Sequence, residues 1–468
     1  MTRSAQLTET YSRLSRTARH LAQVAAVSLQ PTPRTTLAKM SAGSNWRLES
    51  GELLTQLKST AAIRELVKAG VMKTPPGVGV QLTKDFIGIA VHDALRQKTF
   101  ESIASSVQKL RPSLSSYYWS TTSQESVERD MRIAFYRNDE AAFTRLAERV
   151  DTCPTMLDPY DAELFENLHP KLQDYWVLTN ACSIVQSGSG SRAVLEILSP
   201  YAASRPKLTD ELREAWIDLC VARGDSSELA VIDGLAGGRY PEIRGCIEML
   251  RGNFDEADLL FEDGIKLLKA GTRKRKVTLG GFAGVFHVLL QLGKQSPAGR
   301  LRAKELLAAA RSQWTPHFSC AVDLINDAIE SLANPTHNFS PRGACDAPTV
   351  SLISGWLWRW TCPTKSSPIA KTDYGRLAKK FSVLGLQWMA DEFLRLAENK
   401  PSRSGDSESV SLLGLVKPLE PWERSLTALE SLAGSSGSGS TTSNPTTATE
   451  RLIWSIELFA DGTNFDLK

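Results

Sequence analysis

The 468-residue chain has no run of about 18 consecutive apolar residues, which is the length that a membrane-spanning helix requires. It also has no large excess of either charge, because 55 Lys and Arg stand against 52 Asp and Glu. This near balance argues against a protein that coats nucleic acid over its whole surface, so any such contact must be local. With 42% hydrophobic and 23% charged residues, the composition predicts a folded, non-membrane protein, for which we expect a cytoplasmic location.

Cysteine is scarce, and its pattern predicts reduced packing residues instead of a disulfide framework. The seven cysteines are odd in number and far apart. His317 and Cys320 have a spacing that could ligate zinc, but no second pair lies at zinc-finger distance, so we expect no metal site. The first 20 residues contain four arginines without an apolar signal core, which favours a basic first helix over a transit peptide.

Catalytic motifs are absent from the sequence. It contains no GxxxxGK[ST], GxSxG, HExxH or calcium-loop pattern. Gly280, Gly281 and Gly284 have the wrong spacing for a dinucleotide-binding turn, and His287 lies in an apolar stretch typical of a core helix. We therefore expect an interaction protein that has no catalytic residues, cofactor or small-molecule substrate.

Residues 1–110 are predicted to form a small winged-helix-like domain. Apolar residues at helical spacing predict one helix over 12–27 and helical structure from Glu52 to Gly70. Residues 71–74 and 80–82 then change to β character on either side of a turn rich in Pro and Gly. Helices followed by a β-hairpin resemble winged helix-turn-helix domains, and the stretch IRELVKAGVMKTPPGVGVQLT carries this likeness.

The resemblance implies a set of DNA contacts, because in such domains the helix before the hairpin enters the major groove. The candidate nucleic-acid contacts are Lys58, Arg64, Lys68 and Lys73. The alternative is that these side chains form the solvated face of a domain that docks on protein.

Residues 120–400 are predicted to form a tetratricopeptide-like array of helical hairpins. The clearest unit is GCIEMLRGNFDEADLLFEDGIKLL, which resembles a tetratricopeptide repeat in its small and aromatic positions. The residues expected to pack the two helices are Gly245, Gly252, Phe254, Ala257 and Phe261. Weaker copies before and after it predict a mainly α fold, a solenoid in which each hairpin packs against its neighbours. We expect its groove to hold a protein partner.

Two further features lie within this array. The densest basic run, Arg273, Lys274, Arg275 and Lys276, falls in a loop between hairpins, where it could contact phosphate groups or be simply solvated. Trp356 and Trp360 of SGWLWRWTC share one helical face, which favours core packing over an exposed binding site.

The C-terminal part divides into three predicted segments. Residues 401–433 are predicted to be a linker and a helix, and 434–448 a flexible Gly, Ser and Thr linker. Residues 449–468 have β character, but the hairpin signal at Asp461 and Gly462 leaves room for half a hairpin, so we expect a truncated β segment.

The order of these segments is similar to the N-terminal region of large bacterial Swi/Snf-type helicase-like ATPases. The likeness rests on the winged-helix-like start, the tetratricopeptide-like unit followed by KRKV at Lys274–Val277, EPWE at Glu420–Glu423 and RLIW at Arg451–Trp454. In that family ATP is bound by a downstream motor whose motifs this chain lacks.

The resemblance implies a non-catalytic regulatory region, with a partner in the solenoid groove and the winged segment contacting DNA or the motor. The alternative is a free-standing winged-helix DNA-binding regulator with a peptide-sensing array.

Overall fold

The chain folds mainly into α-helices. The computed structural model describes residues 3–112 apart from 76 and 78, then 124–149, 156–205, 209–272, 276–294, 296–314, 316–334, 337, 339, 348–361 and 371–398. Within these residues there are 21 helices and one two-stranded sheet, which confirms the mainly α fold class. The chain divides into two compact units, unit 1 ending at Trp176 and unit 2 beginning at Val177.

Unit 1 is built around helix α2. Its elements are α1 (Arg3–Ser12), α2 (Arg16–Ser28), α3 (Arg34–Gly43), α4 (Gln56–Lys68), β1 (Met72–Lys73), β2 (Gln81–Leu82), α5 (Lys84–Arg96), α6 (Phe100–Leu110), α7 (Gln124–Tyr136), α8 (Glu140–Ala147), α9 (Ala162–Glu166) and the start of α10 (Pro170–Ser187). α2 packs against α3, α4, α5 and α6. Ten of its 13 residues are buried, as expected for a helix covered on several sides.

The first predicted helix is divided differently in the structure. Residues 12–27 were expected to be one helix, whereas α1 ends at Ser12 and α2 begins at Arg16. Ser15 separates them because its side chain accepts a hydrogen bond from the N–H of Ala18 at 3.2 Å, which makes it the N-cap of α2.

The predicted β-hairpin is present directly after α4. Gly70 adopts a positive φ of 72° and lets the chain leave the helix, a conformation that favours glycine. β1 and β2 then pair antiparallel, with Met72 opposite Leu82. Thr32, in the connection after α2, forms a further bridge to Val80, and both of its backbone hydrogen bonds measure 2.8 Å.

Unit 2 consists of helical hairpins. Its helices are the rest of α10, then α11 (Val194–Ala203), α12 (Asp210–Arg223), α13 (Ser226–Leu235), α14 (Pro241–Arg251), α15 (Phe254–Thr272), α16 (Gly281–Gly293), α17 (Pro297–Gln313), α18 (Pro316–Ala333), α19 (Pro348–Thr361), α20 (Lys371–Val383) and α21 (Gln387–Glu398). Each helix from α12 to α21 packs against its hairpin partner. The α12–α13 and α14–α15 turns both begin with a left-handed glycine, Gly224 and Gly252.

The predicted packing residues join α14 to α15. A Cβ atom on Gly245 would lie 2.5 Å from Cε1 of Phe261, so the Phe261 ring occupies the space that the missing side chain leaves. Ala257 and Phe261 are fully buried, and Phe254 is half-buried. The expected close crossing at small residues is therefore present in this hairpin, while its assignment as a tetratricopeptide repeat stays a prediction.

Packing within unit 2 is not limited to successive hairpins. α12 also contacts α16 and α21, which are distant from it in sequence. Twelve of the 13 residues of α16 are buried, and a helix that is apolar on all sides has to be covered on all sides. This differs from the expected array, in which each hairpin packs against its neighbours alone.

Aromatic side chains fill the centre of these contacts. Trp388 of α21 meets Phe282 and Phe286 of α16 at ring-centroid distances of 5.8 and 5.7 Å, and Trp356 of α19 at 6.0 Å. Trp356 and Trp360 are both buried, which confirms the predicted core packing.

Several predictions fall outside the described residues. They concern the side chains of Arg273, Lys274 and Arg275, the linkers 401–433 and 434–448, and the β segment 449–468. Across the described helices, none is long and apolar enough to cross a membrane.

Candidate nucleic-acid interface

The N-terminal part of unit 1 is strongly basic. Residues 1–112 contain 16 Lys and Arg and 7 Asp and Glu, a formal net charge of +9, compared with +3 for the whole chain. The basic residues are Arg3, Arg13, Arg16, Arg19, Arg34, Lys39, Arg47, Lys58, Arg64, Lys68, Lys73, Lys84, Arg96, Lys98, Lys109 and Arg111. The near-balanced charge of the whole chain does not show this local excess of basic residues. A basic segment of this kind is the electrostatic feature expected of a nucleic-acid-binding unit.

Helix α4 presents one apolar and one basic face. Ala62, Ile63 and Leu66 are buried in the core of unit 1. Arg64 and Lys68 are exposed on the other side. They lie one helical turn apart, which places their Cβ atoms about 6 Å from each other. Leu57 precedes them and is 84% exposed, so the outer face of α4 carries an uncovered apolar side chain beside its cations.

The four predicted contacts differ in how free their charges are. Lys58 forms an ion pair with Glu52, and this hydrogen bond holds the pKa of Glu52 below its ordinary value. Arg64, Lys68 and Lys73 are exposed, with Lys73 on β1 just beyond the end of α4. Of the four candidate contacts, these three therefore have exposed charge that a phosphate group could reach.

The acidic residue within α4 is held by the neighbouring helix. Glu65 accepts hydrogen bonds from the backbone N–H and the hydroxyl of Ser15, both at 2.7 Å. Its charge is therefore engaged with Ser15, the N-cap of α2, while Arg64 and Lys68 stay exposed.

The second predicted basic set belongs to a different unit. Lys276 lies in unit 2 with an exposed side chain, and its backbone carbonyl accepts a hydrogen bond from Nε2 of Gln313 at 3.2 Å. Arg273, Lys274 and Arg275 are outside the described residues. A phosphate contact by this run stays a prediction.

Unit 2 contains a carboxylate pair, the half-buried Glu214 and the buried Asp218, that sequence reasoning missed. Oδ1 of Asp218 accepts a hydrogen bond from the backbone N–H of Phe282 at 2.8 Å, and the backbone N–H of Gly281 donates to Glu214. The feature of the sequence that could have indicated this pair is Gly280–Gly281, whose spacing did not fit a dinucleotide-binding turn. A Cβ atom on Gly280 would collide with the Glu214 carboxylate, and one on Gly281 with that of Asp218. The two glycines therefore allow the carboxylates to approach the start of α16.

His287 takes part in a polar network between α15, α16 and α17. The imidazole is fully buried, with Nε2 3.1 Å from Oε1 of Glu262, while Arg302 donates to both oxygens of Glu262 at 2.9 and 2.8 Å. Burial by itself raises the pKa of Glu262, but the hydrogen bonds from His287 and Arg302 outweigh it and hold that pKa far below its usual range. The prediction that His287 is a core residue is confirmed by its burial, but only Nε2 has a hydrogen-bond partner among the described residues, and the buried Nδ1 has none.

An open cleft of about 670 Å³ lies beside this network. The α14–α15 turn and the end of α16 line it, with Asn253, Phe254, Asp258 and Lys294 among the lining residues. Lys294 donates to Asp258 at 2.7 Å, so these two lining charges neutralise each other.

The described residues do not form a metal centre. None of their His, Cys, Asp and Glu side chains gather in a group of three or more that could hold a metal ion. His317 and Cys320 lie on α18, and their side chains are outside the described part of the chain. Cys220 and Cys246 are buried free thiols, as expected for reduced packing residues.

Comparison with known proteins yields no relatives. No family model matches the chain, and neither the curated proteins nor the solved structures contain a match.

Proposed function

We propose that unit 1 binds duplex nucleic acid through the outer face of α4 and the hairpin that follows it. The observation that carries this proposal is the exposed set Arg64, Lys68 and Lys73 on a segment with a formal net charge of +9. Cations on one exposed helix face can neutralise successive phosphates while the adjoining hairpin contacts the backbone.

The arrangement of elements supports a winged-helix-like domain in part. α4 leads directly into the hairpin, and the Thr32–Val80 bridge fastens the hairpin to the connection after α2. Residues 44–55 separate α3 from α4, however, whereas a helix-turn-helix uses a turn of about three or four residues. The proposal therefore rests on the exposed cations more than on the motif.

Binding is tested by fluorescence anisotropy of a labelled duplex with the full chain across a salt series. Replacing Arg64 and Lys68 together with Ala is expected to weaken binding about tenfold at low salt. The slope of log K against log salt should fall by about 2, because about one counterion is released for each phosphate contact.

The matched control replaces two exposed cations of unit 1 that lie elsewhere, Lys109 on α6 and Arg145 on α8. This Lys109→Ala, Arg145→Ala variant carries the same change in net charge and should retain nearly wild-type affinity. Equal losses in the two double variants would show that net charge alone is responsible. Unchanged anisotropy of the wild-type chain at low salt would remove the nucleic-acid proposal.

We also propose that the hairpins of unit 2 bind a protein partner. Large apolar side chains are exposed on the second helices of three successive hairpins, Val231 and Leu235 on α13, Leu259 and Leu267 on α15, and Leu301 on α17. Single exposed apolar residues are ordinary, but their recurrence on equivalent helices favours an interaction surface.

This second proposal predicts that a partner retained by the immobilised full chain is lost when Leu259 and Leu267 are both replaced by Ser. Mass spectrometry of the retained proteins gives the measurement. The variant Leu110→Ser, Leu394→Ser removes two exposed leucines of α6 and α21 and should retain the same partner. Loss from both variants would contradict a role for the α15 surface.

The placement with Swi/Snf-type helicase-like proteins is likewise a proposal. It is supported by the order of sequence segments, and the coding frame beyond Lys468 tests it. Helicase motifs downstream would favour a regulatory region of such a protein, whereas a stop codon would favour the free-standing DNA-binding regulator.

A further inference from the structure

Two carboxylates of α12 converge on the first turn of α16. Glu214 and Asp218 are four residues apart, so they share one face of α12 with Cβ atoms about 6 Å apart. They accept hydrogen bonds from the adjacent backbone N–H groups of Gly281 and Phe282. Because neighbouring amides belong to one turn of chain, both carboxylates occupy the same small space at the start of the helix.

The charged groups on α12 itself add to the crowding. Glu211 and Asp210 act on Glu214 as further negative charges, and Arg213 is the cation that acts on it within the described chain. Arg213 is engaged elsewhere, because Nη1 donates to Asp210 at 2.7 Å and its guanidinium lies 3.6 Å from the Tyr240 ring centroid.

Among the described residues, no cation from a helix packed against α12 acts on either carboxylate. From α14, Glu242 and the Cys246 thiol face this region, and the charges of Asp218 and Glu242 contribute to the raised pKa of Cys246 after burial itself. From α13, Glu228 is bonded to Trp216 at 2.8 Å, and on α21 Glu392 is bonded to Trp356 at 2.8 Å. From α16, the groups that face the pair are the amides of its first turn.

The N-terminus of a helix carries a partial positive charge of about one half, which can balance part of one carboxylate but not two. Two carboxylates that share a site shielded in part from water repel each other strongly when both are ionised. We propose that Glu214 and Asp218 form a proton-binding joint, which keeps a proton in weakly acidic solution and loosens the first turn of α16 from α12 as that proton leaves near neutral pH.

The direction of the pH dependence follows from the raised pKa values. Burial, with the charge of Glu211, raises the pKa of Glu214 to about 7, and burial with the charge of Glu214 raises that of Asp218 well above its ordinary value. The stability contributed by the protonated pair is fully present below the unfolded pKa of 4.5 and is lost as pH rises through about 7. For one retained proton, the opening equilibrium constant rises about tenfold per pH unit inside this window.

The test is hydrogen exchange of the full chain, followed by mass spectrometry on a peptide covering residues 281–286. The exchange rates of wild type and Asp218→Asn are compared at pH 5 and at pH 8. The ratio of the two rates at each pH cancels the intrinsic exchange rate. Asn keeps the oxygen that accepts from Phe282 and cannot ionise. The ratio should be near 1 at pH 5, and the variant should exchange about tenfold more slowly at pH 8.

Glu214→Gln is the second variant, and it should behave in the same way if Asp218→Asn fails to fold. Asp225→Asn is the control, because Asp225 accepts from the N–H of Glu228 at 3.0 Å as the N-cap of α13 and is not one of the charges that act on Glu214 or Asp218. It should speed exchange in α13 at both pH values and leave residues 281–286 unchanged. Equal ratios at pH 5 and pH 8 for both pair variants would overturn the proposal, as would faster exchange of both at pH 8.

Discussion

Replacing Trp388 with Ala is expected to lower the free energy of unfolding of unit 2 by about 3–5 kcal/mol. Trp388 is 4% exposed and joins α21 to the rest of the unit. Its Cβ atom lies 3.2 Å from the position that a Cβ on Gly224 would occupy, and its ring contacts Phe282, Phe286 and Trp356. The truncation would leave a cavity where three helices meet and would remove several aromatic contacts. Urea denaturation of the full chain measures the change.

The matched control is Leu394→Ala on the same helix. Leu394 is 46% exposed, so its truncation should change the free energy of unfolding by less than about 1 kcal/mol. A Trp388 effect as small as that of Leu394 would contradict the conclusion that α21 is part of the core of unit 2. It would instead indicate that the α20–α21 hairpin is attached loosely to α12 and α16.

Replacing Gly245 with Val is expected to destabilise unit 2 by about 3 kcal/mol. Even a Cβ atom at this position would lie 2.5 Å from the Phe261 ring, and the branched Val side chain adds two more carbons. Phe261 is fully buried, so its ring cannot move away without displacing α14 from α15. The midpoint of urea denaturation again gives the measurement.

Gly271→Val is the control for this second prediction. Gly271 is also helical, on α15, but a Cβ atom there meets nothing within 4 Å. Val has a slightly better helix propensity than Gly, so we expect a change of less than about 1 kcal/mol. Combining Gly245→Val with Phe261→Leu should restore part of the stability, because the smaller side chain makes room. Additive losses in this double-mutant cycle would show that the two positions do not share one contact.

The stability predictions for unit 2 and the binding prediction for unit 1 need separate measurements. Changes at Gly245 and Trp388 alter packing inside unit 2, whereas the nucleic-acid proposal concerns exposed residues of unit 1. Arg64→Ala and Lys68→Ala remove charge from a solvated helix face, where substitutions usually change stability by less than about 0.5 kcal/mol. A loss of binding in that variant can therefore be separated from a loss of folding by comparing the denaturation midpoints.

Local structure could be predicted where neighbouring residues decide it. Gly70, at a positive φ, ends α4, and the change to β character after it appears as the β1–β2 hairpin. Gly245, Ala257 and Phe261 indicated a close helix pair, and α14 and α15 cross at these residues. The break between α1 and α2 was missed because a helical pattern of apolar residues continues across Ser15. That pattern does not reveal the hydrogen bond by which Ser15 caps α2.

The candidate interface could also be read largely from the sequence. The helix, the hairpin and the cations Arg64, Lys68 and Lys73 all follow from residue order, and so does the basic excess of residues 1–112 once charge is counted by segment. The pairing of Lys58 with Glu52 was visible only in the structure, since six residues and a helix start separate them.

By itself, the sequence determined the mainly helical class, the hairpins and the exposed cations of α4, because hydrophobic period, capping residues and charge are local properties of the chain. Tertiary structure alone decided that α21 packs on α12 and α16, and that Glu214 and Asp218 meet the amides after Gly280. Those contacts join residues more than 60 positions apart. The sequence of an apolar helix face or of a carboxylate does not specify which distant residue it will contact. The pairing therefore depends on which surfaces fit when the hairpins pack together.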